Sequence, residues 1–355
     1  VINKRIKFIM AYTTINKSTD YFNTQLYTAT GSAQSITGVG FQPDLVWIKD
    51  RESSGWHFWT DAVRGVTKTI FSNTNNAVST ETGGLTAFGT DGFSIGTHSN
   101  INTNGNNIVS WNWKANGQGS SNTDGSINTT YTSVNTTAGF SISQYTGNGT
   151  TGATVGHGLG AIPKWIIVKR LDSTTNWQVY HSSMGAEKFI ELNNTGGQSD
   201  SDVLWNDTAP TNQVFSLGNY SHVNYNGSPH IAYCFAEKTG YNKFGSYTGN
   251  GNANGTFVYT GFRPAWVMIK KTSSGTGRGW FIYDSKRIGY NPKNYVLEAN
   301  DTAQDGTSDR IDLLSNGFKL RTTDLILNES GVNYIYMAFA EAPIVGTNNI
   351  PATAR

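Results

Sequence analysis

The string GNGTTG at residues 147–152 has the spacing G-x-G-x-x-G, whose glycines let a backbone approach a pyrophosphate at the start of a helix. That chemistry needs the helix to follow. The next residues, ATVGHGLGAIP, carry three glycines and a proline and cannot form one. The related string YTGNG occurs at 145–149 and 247–251, a weaker YTATG stands at 27–31, and the later copy, GNGNANG, has its last glycine shifted. Asn-Gly is a strong signal for a tight hairpin turn, so these strings are read as turns and no nucleotide is expected. The six histidines, His57, His98, His157, His181, His222 and His230, include no pair with the spacing of a helical or knuckle zinc site. No G-x-S-x-G elbow is present, and GHG at 156–158 reads as loop punctuation. The acidic strings SDSD (199–202) and NDTAQDGTSD (300–309) do not follow the EF-hand pattern. A solvated turn is their default reading, with a loop-bound calcium left open. No acidic position is shared by the repeats described below, as a pair of glycosidase carboxylates would require of every copy. The expectation is therefore no catalytic residue, no metal site and no cofactor.

Composition narrows the class further. Of 355 residues, 26 are basic and 24 acidic, giving a formal charge of +2, too little to steer nucleic acid or an anionic membrane. Charged residues make up 14% against 40 glycines and 12% aromatics, a balance suited to short strands joined by turns. The single cysteine, Cys234, precludes an intrachain disulfide and reads as a packed structural thiol. The opening VINKRIKFIMAYTT is basic and only briefly apolar, so neither a signal peptide nor membrane insertion is expected, and Met10 is a candidate translation start. Asn-x-Ser/Thr triplets follow from an Asn- and Thr-rich composition and are not taken as glycosylation sites.

The elements that would position any site repeat three times. GFQPDLVWIK (40–49), GAIPKWIIVK (160–169) and GFRPAWVMIK (261–270) share Gly, Pro and Lys, with the proline six residues before Lys49, Lys169 or Lys270. WHFWTD from Trp56, WQVYHS from Trp177 and WFIYDS from Trp280 follow; then come DGFSIG, QVFSLG and NGFKLR. Each copy closes on IVSWNWKA, HIAYCFAE or IYMAFAEA. VSWNW and IAYCF alternate with period two, as strands do, and LVWIK is apolar on both faces, as in a strand covered from both sides. The fold class predicted is all-β, with three tandem antiparallel β-sandwich units of jelly-roll or lectin-like type. The boundaries are an N-terminal arm at 1–20, units at 21–115, 139–238 and 239–343, and a tail at 344–355. Residues 116–138 read as a linker, flexible in its first half and with an extra strand in SINTTYTSV. Units two and three, lacking a spacer, are expected to stack closely. TDAVRGVTKTI (60–70) is the best short helical candidate.

Aligning the second strands on Trp56, Trp177 and Trp280 puts those rings on the core face and leaves Trp59, Tyr180 and Tyr283 in the opposite phase. An outward aromatic column there would stack on sugar rings or a partner protein. The competing reading, favoured by repeat packing, buries that face against the next unit or a neighbouring chain.

The strings AGFSISQYTGNGTTGATVGHGLGAIPKWIIVKR, AYCFAEKTGYNKFGSYTGNG and FVYTGFRPAWVMIK, with the ending YIYMAFAEAP, resemble the repeated β-domains of virion structural and tail-fibre-like proteins of bacteriophages, aquatic phages especially. The likeness runs from about residue 20 to 345 and is weakest in the first unit. It implies a non-enzymatic particle component located in the virion: a fibre, adhesin or capsid-surface protein. Other virion proteins are the implied partners, with host-surface glycans as candidate ligands. Homo-oligomerisation, a trimer for instance, would add avidity. A stand-alone carbohydrate-binding module is the alternative, and a polysaccharide-degrading enzyme trails both.

Overall fold

The computed structural model describes residues 12–273, 279–288 and 290–345. Most of the expected N-terminal arm (1–11, with Met10) and of the tail (346–355) lie outside the described residues. The chain is all-β. Its first third contributes β1 (Phe22–Thr28), β2 (Gln34–Thr37), β3 (Leu45–Asp50), β4 (Phe58–Asp61), β5 (Lys68–Phe71), β6 (Ser79–Thr80), β7 (Leu85–Gly89), β8 (Gly92–Ile95) and β9 (Asn107–Trp113). The middle adds β10 (Thr129–Asn135), β11 (Phe140–Thr146), β12 (Ala153–Gly156), β13 (Pro163–Arg170), β14 (Gln178–His181), β15 (Lys188–Glu191), β16 (Ser199–Asp200), β17 (Val214–Leu217) and β18 (Pro229–Ala236). The last third adds β19 (Asn242–Thr248), β20 (Phe257–Tyr259), β21 (Phe262–Lys271), β22 (Trp280–Asp284), β23 (Lys293–Glu298), β24 (Gly306–Leu314), β25 (Gly317–Leu320) and β26 (Asn333–Pro343). Helix is confined, among the described residues, to a 3-10 turn at Ser18–Asp20 and the four-residue α1 (Ser99–Asn102), α2 (Asp202–Trp205) and α3 (Ser221–Asn224). None is long and apolar enough to cross a membrane.

The three large sheets share one strand order: β1-β9-β3-β4-β5-β6; β11-β18-β13-β14-β15-β16, with β10 added beside β11; and β19-β26-β21-β22-β23. In the last, β24, β25 and β20 continue the sheet, and one of the sheets is nearly barrel-shaped. Smaller sheets β2-β8-β7 and β12-β17 accompany the first two. Every residue of β3 is buried, because one face meets a local cluster with Ile36, Phe93 and Ile95 while the other meets a core built by all three thirds. Eight of the ten tryptophans lie in that common core: Trp47, Trp59, Trp111, Trp113, Trp165, Trp177, Trp266 and Trp280. Their rings touch across segments, Trp59 with Trp177 at 5.3 Å, Trp165 with Trp280 at 5.7 Å and Trp113 with Trp266 at 5.9 Å between centroids.

The segments close on one another in a cycle instead of stacking in a row. Val78 N donates to Leu171 O at 2.8 Å, Gln198 N to Thr272 O at 2.8 Å, and Asp305 N to Arg51 O at 2.9 Å. Leu171, Thr272 and Arg51 each stand two residues past the repeated lysine, so one bond recurs at each of the three seams. A second set agrees. Trp177 Nε1 donates to Phe71 O at 3.2 Å and Trp280 Nε1 to Glu191 O at 2.9 Å, while His57, in their place in the first segment, meets the backbone of Glu298.

Three local expectations are corrected. Residues 60–70 form the end of β4, a turn and the start of β5, not a helix, because Trp59 and Ile70 pair across the hairpin and share the common core. Residues 116–128 are not a free linker: Asp44 accepts from Ala115 N at 2.6 Å and Gly117 N at 3.0 Å, and Ile127 N donates to Thr154 O at 2.9 Å. The YTGNG turns are not hairpins, since β11 and the following β12 belong to different sheets and β19 and β20 stand at opposite ends of one sheet; β1 and β2, around YTATG, also belong to different sheets.

Candidate functional site

The register of the second strands decides the fate of the aromatic column. Ile48 pairs with Phe58, Val168 with Gln178, and Ile269 with Phe281, so Trp177 and Trp280 correspond to His57 and not to Trp56. Slipping a strand by one residue exchanges its faces. Trp59 therefore points into the common core with Val179 and Ile282, whereas Tyr180 and Tyr283 point into the outer clusters of their own segments. All three are buried, at 2%, 5% and 0% exposure, and the outward-column reading is withdrawn. Trp56, expected in the core, is 37% exposed and rests on Phe71. Outward aromatics stand elsewhere: Tyr225, and Phe257 and Tyr259 on β20.

The YTGNG turns enclose a side chain of their own chain. In the second segment Asn224 Oδ1 accepts from Asn148 N at 2.9 Å, and Asn224 Nδ2 donates to Thr150 O and Gly218 O. Asn328 does the same for Asn250 N, Asn252 O and Thr322 O, and Asn102 for Thr30 N and Gly96 O. The concavity of backbone N–H groups that would hold a phosphate is filled by this amide. Both glycines are structural: a Cβ at Gly147 would lie 2.4 Å from Tyr225 O, and Gly149 has φ +68°. The three asparagines went unnoticed in the sequence, although each stands nine residues before Trp111, Tyr233 or Met337.

The repeated lysines, too, serve the loops. Lys49 Nζ donates to Asp50 O at 2.7 Å and Ser53 O at 3.2 Å, and Lys169 Nζ to Arg170 O at 2.7 Å, Ser173 O and Thr175 Oγ1. Burial pulls Lys49 down to about 8 and Lys169 and Lys270 to about 7, against neighbouring carboxylates that oppose the shift in all three, while Arg170 adds to it at Lys169. Buried histidines are held neutral: burial lowers His157 to about 4, His181 to about 3 and His230 to about 4. Burial pushes the Cys234 thiol up. Among the described residues no group of three His, Cys, Asp or Glu side chains could hold a metal ion.

Polar groups meet open space at the seams. Between the first and second segments a cleft of about 270 Å³ is lined by Arg64, Lys68, Gln144 and Asp172 over Val78 and Leu171. The turn after β4 positions Arg64. Its Nε donates to Asp61 Oδ2 at 2.6 Å, its Nη2 donates to Trp59 O at 2.9 Å, and Tyr233 of the second segment donates its hydroxyl to the same Asp61 oxygen at 2.7 Å. Arg64 Nη1 is buried without a hydrogen-bond partner. Lys68 is exposed and donates to Thr80 Oγ1 at 2.7 Å. Burial raises the Asp172 carboxyl, but hydrogen bonds from Arg170 and Ser228 outweigh it and hold the group below its usual range. Arg170 in turn lies 4.1 Å from the exposed Tyr225 ring.

The second seam has a cleft of about 190 Å³ at the matching place, with Met184 where the first has Arg64 and Lys188 where it has Lys68. At the third, Arg287 pairs with Asp284 and Asp305, and Asp305 also pairs with Arg51.

A family model described as a domain of unknown function, DUF7483, matches residues 17–343, all three segments together. No curated protein and no solved structure matches.

Proposed function

The chain belongs to the DUF7483 family, a domain of unknown function, and from that premise we propose that it is a non-enzymatic structural component of a bacteriophage particle. In this reading three β-sandwich repeats form one rigid display body, a fibre, adhesin or capsid-surface protein that contributes to host recognition. The observation that carries it is the cyclic closure of three like sheets on one tryptophan core, in which buried Lys and Asn side chains pin the loops. A body built this way keeps its outer loops in fixed positions without a disulfide, as a particle surface requires outside the cell. The resemblance of the repeats to phage virion proteins supplies the setting.

Purified particles, analysed by mass spectrometry and by gold-labelled antibody in electron micrographs, are expected to carry the protein at a fixed copy number on their surface. Its presence in infected-cell lysate but not in particles would sink the reading. A stand-alone carbohydrate-binding module is the second reading, favoured by the cleft at the first seam, where polar side chains rim an apolar floor.

A further inference from the structure

We propose that the cleft between the first and second segments binds a carboxylate-bearing sugar residue of an acidic polysaccharide. The inference deepens the host-recognition reading and rests on it only for the source of the polymer. At about 270 Å³ the space lies just below the usual range of drug-sized ligand sites, room for one sugar ring. One wall is cationic. Arg64 uses Nε and Nη2 on Asp61, Trp59 O and Tyr233, while Nη1 is left without a partner in a side chain only 3% exposed. Lys68 uses one ammonium proton on Thr80, which leaves two for a ligand. The enclosed guanidinium Nη1 keeps an unused donor beside the cleft, and the exposed Lys68 is the cation that an incoming acceptor meets first.

The other wall selects the rest of the ligand. Gln144 offers both a donor and acceptors, and the Asp172 carboxylate offers acceptors, the complement of vicinal hydroxyls. Val78, Leu171 and Pro229 supply apolar surface for the C–H face of a pyranose ring. The Asp172 charge disfavours a phosphate dianion, whereas a single carboxylate matches the excess of one cation left once Arg64–Asp61 and Arg170–Asp172 are paired. The second cleft is an internal control, for Met184 removes the guanidinium there.

The test is calorimetric titration of the intact chain with a galacturonate trisaccharide and with the neutral galactose trisaccharide at low salt. The acidic sugar is expected to bind with a Kd near or below about 1 mM and the neutral one about tenfold more weakly. Lys68→Ala, at an exposed position, should weaken the acidic sugar by about fivefold, and Lys188→Ala in the second cleft should leave it unchanged. Arg64→Met is avoided because it strands the buried Asp61; Gln144→Ala is the second variant and should also weaken binding. No binding, equal binding of both sugars, or indifference to both Lys68→Ala and Gln144→Ala overturns the proposal. Absence from virions would overturn the display reading and leave this titration standing, and the converse holds equally.

Discussion

Three buried lysines at matching positions place three ammonium groups where water does not reach, each spent on loop carbonyls or against an indole ring. Because burial depresses their folded-state values to about 7 or 8 from 10.5, the unfolded chain binds more protons between those limits, and stability must rise with pH across that window. Buried tyrosines, raised above 10.0, reverse the trend at higher pH. Lys169→Met should therefore remove about 2 kcal/mol of the stability gained between pH 7 and pH 9, as read from urea midpoints at the two values. Equal gains in wild type and variant would show that the folded-state amine stays charged across this range, its pKa not depressed by burial. The lysines were visible as a repeated letter, but their role was not, since a lysine ending an apolar run reads equally well as a solvated strand end. The aromatic column failed for a narrower reason. Trp56 mimics Trp177 and Trp280 in type, yet His57 holds their place, and one residue of misalignment is enough to turn a core face outward on paper.

Where a chain leaves a strand for one it does not pair with, its backbone groups lose ladder partners, and here an asparagine amide replaces them at each opening turn. Asn224→Ala strands Asn148 N, Gly218 O and Thr150 O together, for an expected loss of about 2–4 kcal/mol. Amide exchange in residues 147–152 should quicken more than in β13 and β18. Uniform quickening would mean that the turn is held by something other than Asn224. The strands at the core of this arrangement were legible, because period two and doubly apolar runs survive in all three copies. The hairpin assignment of YTGNG was not. Asn-Gly reports a turn but says nothing of which sheet the chain enters next. Residues 116–128 misled for a related reason: a Gly- and Ser-rich composition resembles a flexible tether, whereas Asp44 and the edge of β12 tie it down.

Closure gives the molecule one interior, and its energetics should follow. Trp266 meets Trp47, Trp111 and Trp113 of the first segment, so Trp266→Ala removes contacts from two thirds of the chain at once, at about 3–5 kcal/mol. Calorimetry should show one transition that moves down as a whole. A separate early transition for the third segment would instead mean that the thirds unfold independently. Repetition was plain in the sequence, and the cycle was not, because the bonds that close it run from backbone to backbone or through residues that differ between copies. Tyr233 reaches Asp61 at one seam, Trp111 reaches Asp284 at another, and His181 stands at the corresponding place in the second segment. A ring of three identical subunits could not differ in this way, since a change at one interface would be copied to all. With the ring written on a single chain, each interface mutates alone: one keeps a buried arginine at the edge of a cleft, one has a methionine, one locks itself with paired arginines and aspartates. Gene triplication followed by fusion would thus free two joints to do nothing but hold, and leave the remaining one to acquire a specificity.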